Sequence, residues 1–171
     1  MLLTIGHSTR RREAFLALLH AHRVTAVADV RAIPQSRRNP HFSRKNLEAD
    51  LRDANIAYKH FPALGGHRTP QPDSINIGWK NEAFRGYADH MRTDEFRGGI
   101  DDLLAFSAKY LVALMCAEAQ WSDCHRQLIA DALIARSVEV RHIMSEHESV
   151  AHERTRGARV TGTLVEYPGL F

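Results

Sequence analysis

Short runs of apolar and β-branched residues alternate along the chain with longer stretches whose apolar positions recur every three or four residues. That is the pattern of strands interleaved with amphipathic helices. Leu2 to Ile5 is the first apolar run and stops at Gly6; Ser8 or Thr9 can then cap a helix with Phe15, Leu16 and Leu19 on one face. Val24 to Val30 predicts a second strand, Ser43 caps a helix bearing Leu47 and Leu51, and Ile56 to Phe61 predicts a third strand. Prolines and glycines break regular structure through most of Pro62 to Gly78, a loop long enough to serve as a binding loop or lid.

Two helix faces follow: Phe84, Ala88 and Met91, then Phe96, Ile100, Leu103 and Leu104. On the first of these helices Arg85, Tyr87 and His90 default to flanking or solvated positions. Leu111 to Met115, the most apolar run, predicts the central strand. Ser122 or Asp123 caps a helix carrying Leu128, Ile129, Ala132 and Leu133, and Val138 to Ile143 predicts a fifth strand. From Ser145 the pattern weakens, and Glu146 to Arg159 reads as a polar approach to a terminal segment, Val160 to Tyr167.

Strands separated by helices predict an α/β fold: a single three-layer domain with a mostly parallel sheet of about five strands flanked by helices. The domain spans 1–171, with its core over about 1–144 and a polar C-terminal extension, with scope for mobility, over 145–171. In such sheets ligands bind beyond the carboxyl ends of the strands. That edge collects Gly6, His7, Ser8, Asp29, Arg31, His60, Cys116, Glu118 and His142.

Composition narrows the function classes. No charged region followed by an apolar stretch opens the chain, and the longest apolar run, Leu111 to Ala117, is too short to span a bilayer. A cytoplasmic protein with no membrane partner is therefore expected, its two cysteines, Cys116 and Cys124, reduced. The net charge of +3 is unevenly divided. Residues 1–70 carry twelve Lys/Arg against five Asp/Glu, whereas residues 71–171 carry eleven against fifteen. Arg31 to Lys45 holds five basic residues and no acid, which suits an anionic partner as well as a plain solvated face. The eleven histidines add a lever near neutral pH.

The sharpest local feature is Cys116-Ala117-Glu118 followed by Cys124-His125-Arg126, joining a strand end to a helix start. In the predicted helix, Cys124, His125 and Arg126 occupy the first turn, where free N–H groups and the dipole favour an anion or a thiolate. Cys124 is then a candidate nucleophile, with Glu118 or His125 as its acid/base partner and Arg126 as an anion clamp. His7, Ser8, Arg31 and Arg37 are further candidate anion-binding residues. Against this stands the plain alternative of small buried cysteines and a hydrogen-bonded core histidine, which is the better reading for Cys116. Seven residues separate the cysteines and no second knuckle exists, so spacing disfavours a zinc site, and neither a metal nor a cofactor is expected. The loop Gly65-Gly66-His67-Arg68 reads as a glycine turn in preference to an anion nest.

Thr4-Ile5-Gly6-His7-Ser8, Asp29-Val30-Arg31, Ser36-Arg37 through Phe42, Leu64-Gly65-Gly66, Phe84-Arg85-Gly86-Tyr87-Ala88, Cys116-Ala117-Glu118 and Cys124-His125-Arg126 together resemble a bacterial and archaeal family described as domain of unknown function 488. The resemblance covers the chain to about His142 and brings no established reaction with it. Many members place a proline before the final Cys-His-Arg, where this chain has Gln120-Trp121-Ser122, a departure that bears on the shape of that loop.

Three functions therefore compete. The first is a hydrolase or transferase with a Cys/His/Glu site, acting on an anionic, phosphate-bearing small molecule or nucleic-acid component. The second is a non-catalytic nucleic-acid-binding module using the loop 31–45. The third is a metal-dependent hydrolase.

Overall fold

The computed structural model of the chain describes residues 1–169. Eight strands and five α-helices follow in the order β1 (Leu2–Gly6), α1 (Arg12–Ala21), β2 (Ala26–Asp29), α2 (Arg44–Asp53), β3 (Ala57–His60), α3 (Glu82–His90), α4 (Asp94–Ser107), β4 (Val112–Cys116), α5 (Arg126–Ile134), β5 (Val140–Ser145), β6 (Glu148–Ala151), β7 (Arg159–Thr161) and β8 (Leu164–Glu166). Six strands form one sheet in the order β3-β2-β4-β1-β5-β6. All pair in parallel except β6, which runs antiparallel to β5 along one edge. The α/β class and the flanked parallel sheet are thus as the periodicity predicts, with a sixth strand and a separate β7–β8 hairpin formed by the polar C-terminal stretch.

Strand alternation distributes side chains between two cores. Ala113 and Met115 of β4 join Leu3, Ile5 and Val27 beneath α1 and α2. Val112, Leu114 and Cys116 face the other way, into a core shared with Tyr87, Ile100 and Leu128 of α3, α4 and α5. Every residue of β1 and β4 is buried, which is why these runs lack a polar face, Thr4 being the one polar side chain in them. From these adjacent strands the chain departs in opposite directions, β1 toward β2 and β4 toward β5. The carboxyl ends of β1 and β4 therefore flank a topological switch point, the place where such sheets open a crevice.

Two helix starts differ from expectation. Ser8 adopts a left-handed φ of 47° and its N–H bonds Ala117 O, so the chain after β1 follows the loop after β4, and α1 starts only at Arg12. Likewise Trp121–Asp123 forms a 3₁₀ turn, Cys124 is extended, and α5 starts at Arg126 with His125 as its N-cap. Cys124 thus lies outside the helix. The first-turn dipole argument does not apply to it.

Candidate functional site

Cys116 ends β4 with its side chain on the α3–α5 face, and the extended backbone at Cys124 turns that sulfur toward it. The ring of His125 lies between them. Its Nε2 donates to the carbonyl of Val30 at 2.8 Å, just past β2, which leaves Nδ1 facing Cys124 Sγ at 3.6 Å and Cys116 Sγ at 3.8 Å. The three ligand atoms all lie within 4.8 Å of one another. A strand end and a helix entry bring these donors together although no knuckle spacing joins them in sequence.

Both sulfurs are buried, yet they behave differently. The Cys116 thiol, hydrogen-bonded to the Cys124 sulfur and desolvated, is pushed well above the ordinary thiol value. Burial pushes Cys124 the same way, but its contacts with the Cys116 thiol and the His125 ring, together with the charge on Arg126, outweigh burial and take it well below.

The cluster lines a cavity of about 440 Å³. Glu118 and Asp123 are exposed along its wall, Arg31 and Gln35 line another side, and Phe84 and Tyr87 of α3 supply aromatic faces. Tyr87 is fully buried; its hydroxyl donates to Leu64 O at 2.7 Å and its ring centroid lies 5.0 Å from that of His125. The solvated or flanking placement predicted for Tyr87 and His90 is wrong for both, since α3 buries its Gly86–Ala88 face and His90 donates to Ala63 O at 2.7 Å. The i, i+3 spacing of Phe84 and Tyr87 was the available signal, because it sets both rings on one helix face. Gly66 borders the cluster closely: a Cβ there would sit 3.2 Å from His125 Nδ1.

The arginines are committed elsewhere. Arg31 folds onto Asp29 through Nε to Oδ1 at 2.9 Å and Nη2 to Oδ2 at 2.7 Å, and donates to Phe42 O at 2.8 Å. Its charge is thereby matched at the cavity wall. Arg126, expected as an anion clamp, is buried and turns away from the cavity; it donates to the carbonyls of Glu118 and Ala119 and to Thr4 Oγ1. It holds the 116–119 loop in place. Arg37 is exposed on the basic loop and lies outside the cavity lining. His7 is buried against Phe42 with its Nδ1 bonded to Ser8 O, and burial pushes it down to about 4. It contacts Arg31 at 3.4 Å without lining the cavity, and neither does Ser8.

A second polar network lies behind the site. Thr4 Oγ1 meets His142 Nδ1 at 2.7 Å, His142 Nε2 meets His152 Nδ1 at 3.0 Å, and His152 Nε2 meets Asp131 Oδ1 at 2.8 Å. Tyr167 donates to Asp131 Oδ2 at 2.7 Å, and Trp121 stacks on His142 at 4.2 Å between ring centroids. Through Thr4 the network reaches Arg126 and so the 116–119 loop.

No helix of the described residues is long and apolar enough to cross a membrane. No curated protein and no solved structure matches the chain. Residues 11–133 match the family described as Domain of unknown function DUF488, and the chain belongs to that family.

Proposed function

We propose that the protein is a zinc-dependent hydrolase, its metal held by Cys116 Sγ, Cys124 Sγ and His125 Nδ1 and its fourth coordination position open to the cavity. One observation carries this reading. With Zn–S near 2.3 Å and Zn–N near 2.05 Å, a tetrahedral ion sets its sulfur and nitrogen ligands about 3.6 Å apart. The two sulfur–Nδ1 separations are 3.6 and 3.8 Å. The bond from His125 Nε2–H to Val30 O supplies the outer support that metal-bound imidazoles ordinarily have, and it selects the tautomer whose Nδ1 is free to ligate. Two thiolates and one imidazole suit zinc among the divalent ions, and three protein ligands with one open position are typical of a catalytic site.

Zinc held by these three residues would supply a Lewis acid for a substrate carbonyl and a bound water of lowered pKa. The chain supplies the rest. Glu118, two residues beyond Cys116, offers a carboxylate at the cavity wall that can accept and return a proton. Phe84 offers an apolar surface, Gln35 and Asn81 offer amide groups, and Gly66 leaves the approach to His125 open.

The test is metal analysis joined to a simple reaction. Protein purified without chelator should carry one zinc per chain, and Cys116→Ser, Cys124→Ser and His125→Ala should each lose it. Cobalt-substituted protein should show intense sulfur-to-cobalt charge-transfer absorption. The zinc form should hydrolyse p-nitrophenyl acetate, with activity abolished by chelator and cut about 100-fold in Glu118→Gln while zinc is retained. Protein that neither carries nor takes up stoichiometric zinc overturns the reading. The lowered pKa of Cys124, beside His125 at 3.6 Å, favours a second reading, covalent catalysis by the Cys124 thiolate. Rapid alkylation of Cys124 in protein that never binds zinc would establish it.

A further inference from the structure

Gln35 lines both the cavity and a second depression, and its neighbours divide between them, Ile33 lining the cavity and Pro34 the depression. This groove, about 790 Å³ and widely open, runs along α2 and is lined by Gln35, Ser43, Arg44, Lys45 and Arg52, with Glu48 as its single acid. Arg44 lies 3.7 Å from Glu48, whereas Lys45 and Arg52 make no ion pair among the described residues. Arg37 and Arg38, exposed on the adjoining loop, make none either. The cavity itself has the opposite balance: Arg31 is neutralised by Asp29, and Glu118 and Asp123 leave the wall acidic. A free phosphate-bearing metabolite would have to place its anion in that acidic cavity. The cations sit next door.

We infer that the substrate is a base within a single nucleic-acid strand, its phosphodiester backbone held in the groove by Arg44, Lys45 and the exposed arginines of the loop, and its base turned across Ile33 into the cavity. Three features fit that division. Charge complementarity assigns phosphates to the groove and an uncharged ring to the cavity. Phe84, half-buried among the residues that line the cavity, supplies an aromatic ring on which a base can stack. Ile33, 68% exposed on the cavity lining two residues before the shared Gln35, is an apolar side chain available to part neighbouring bases. Duplex DNA keeps its bases out of reach of such a cavity, so the strand must be single or locally opened. The backbone half of this inference is independent of the metal; the turning of the base into the cavity rests on that cavity being the reacting site.

Fluorescence anisotropy with a labelled single-stranded oligodeoxynucleotide tests the groove, and an internal 2-aminopurine, which brightens on unstacking, tests the cavity. If Arg37, Arg38, Arg44 and Lys45 each neutralise one phosphate of a single strand, log K should fall against log salt with a slope of about −2.8. The charge reversal Arg44→Glu/Lys45→Glu should then lower the slope to about −1.4 and weaken binding on the order of 25-fold at 0.1 M salt. Both substitutions sit on an exposed first turn where acidic residues suit the helix, so folding should persist. 2-Aminopurine should brighten on binding to the wild type and far less with Ile33→Gly. Absence of binding at low salt, or an unchanged affinity in the charge-reversed protein, overturns the strand track. Binding without brightening overturns delivery of the base. Zinc content measured on the same samples separates these failures from failure of the metal site, since strand binding does not require zinc and zinc loading does not require a strand.

Discussion

Acidification from pH 7 to pH 5 should cost this protein about 4 kcal/mol of stability through two histidines, His7 and His142. Burial pushes His7 from 6.5 down to about 4, and burial, aided by the neighbouring His152 and Arg126, pushes His142 down to about 3. The hydrogen-bond chain explains the second case. Neutral His142 accepts from the Thr4 hydroxyl at Nδ1 and donates from Nε2 to His152, while Arg126 donates to Thr4 Oγ1. A proton on Nδ1 would have to displace the Thr4 hydroxyl proton from its acceptor. Because the folded values lie below the unfolded one, stability is complete above about pH 6.5 and is lost as pH falls toward 4 and 3. At pH 5 an unfolded imidazole is about 97% protonated and the folded ones about 10% or less, so each residue loses about 2 kcal/mol relative to pH 7. For a chain of this size that corresponds to a fall in Tm of about 8 to 16 °C. Thermal unfolding should be followed by circular dichroism at both pH values with chelator present, so that zinc release does not contribute. His142→Gln should be less stable at pH 7 but should shed about half of the pH dependence. A wild-type Tm that moves by less than about 3 °C, or a His142→Gln protein with undiminished pH dependence, would refute the reasoning.

Other outcomes follow from the same geometry. Zinc at about 100 times its Kd should raise stability by about 2.7 kcal/mol, seen as a Tm increase of about 5 to 11 °C that Cys116→Ser abolishes. Gly6→Ala should cost about 3 kcal/mol or more in urea unfolding, because its Cβ would lie 1.8 Å from Glu118 O, and backbone must move. The same variant should load zinc poorly. Tyr87→Phe should cost about 1 to 3 kcal/mol by leaving Leu64 O without its buried donor, with zinc content unchanged. Arg126→Met should retain the fold yet loosen the 116–119 loop, measurable as faster amide hydrogen exchange there, since both loop carbonyls lose their guanidinium.

Much of the architecture was legible from residue order. Continuous apolar runs at Leu2 to Ile5 and Leu111 to Met115 report strands buried on both faces, and these are the central pair, β1 and β4. Helical periodicity located all five helices; the carboxyl-edge rule selected Arg31, Cys116 and Glu118 and the Cys-His-Arg motif supplied Cys124 and His125, which line one cavity, whereas His7, Ser8 and His142 from the same edge do not. Periodicity works here because it records which face meets water, a property each segment carries locally. It carries no information on which buried partner a polar side chain finds. His125 reaches a carbonyl 95 residues away, and Arg126 reaches a hydroxyl 122 residues away. Tertiary packing decides that Tyr87 is core and that a separation too wide for a zinc knuckle closes into a three-donor cluster, and it fixes which of several near and distant partners Arg31 and Arg126 take. The C-terminal stretch makes the same point from the other side. Its composition is polar and its strands are short, yet His152 and Tyr167 are drawn into burial by Asp131, a carboxylate that needs their donors once the sheet and α5 have closed around it.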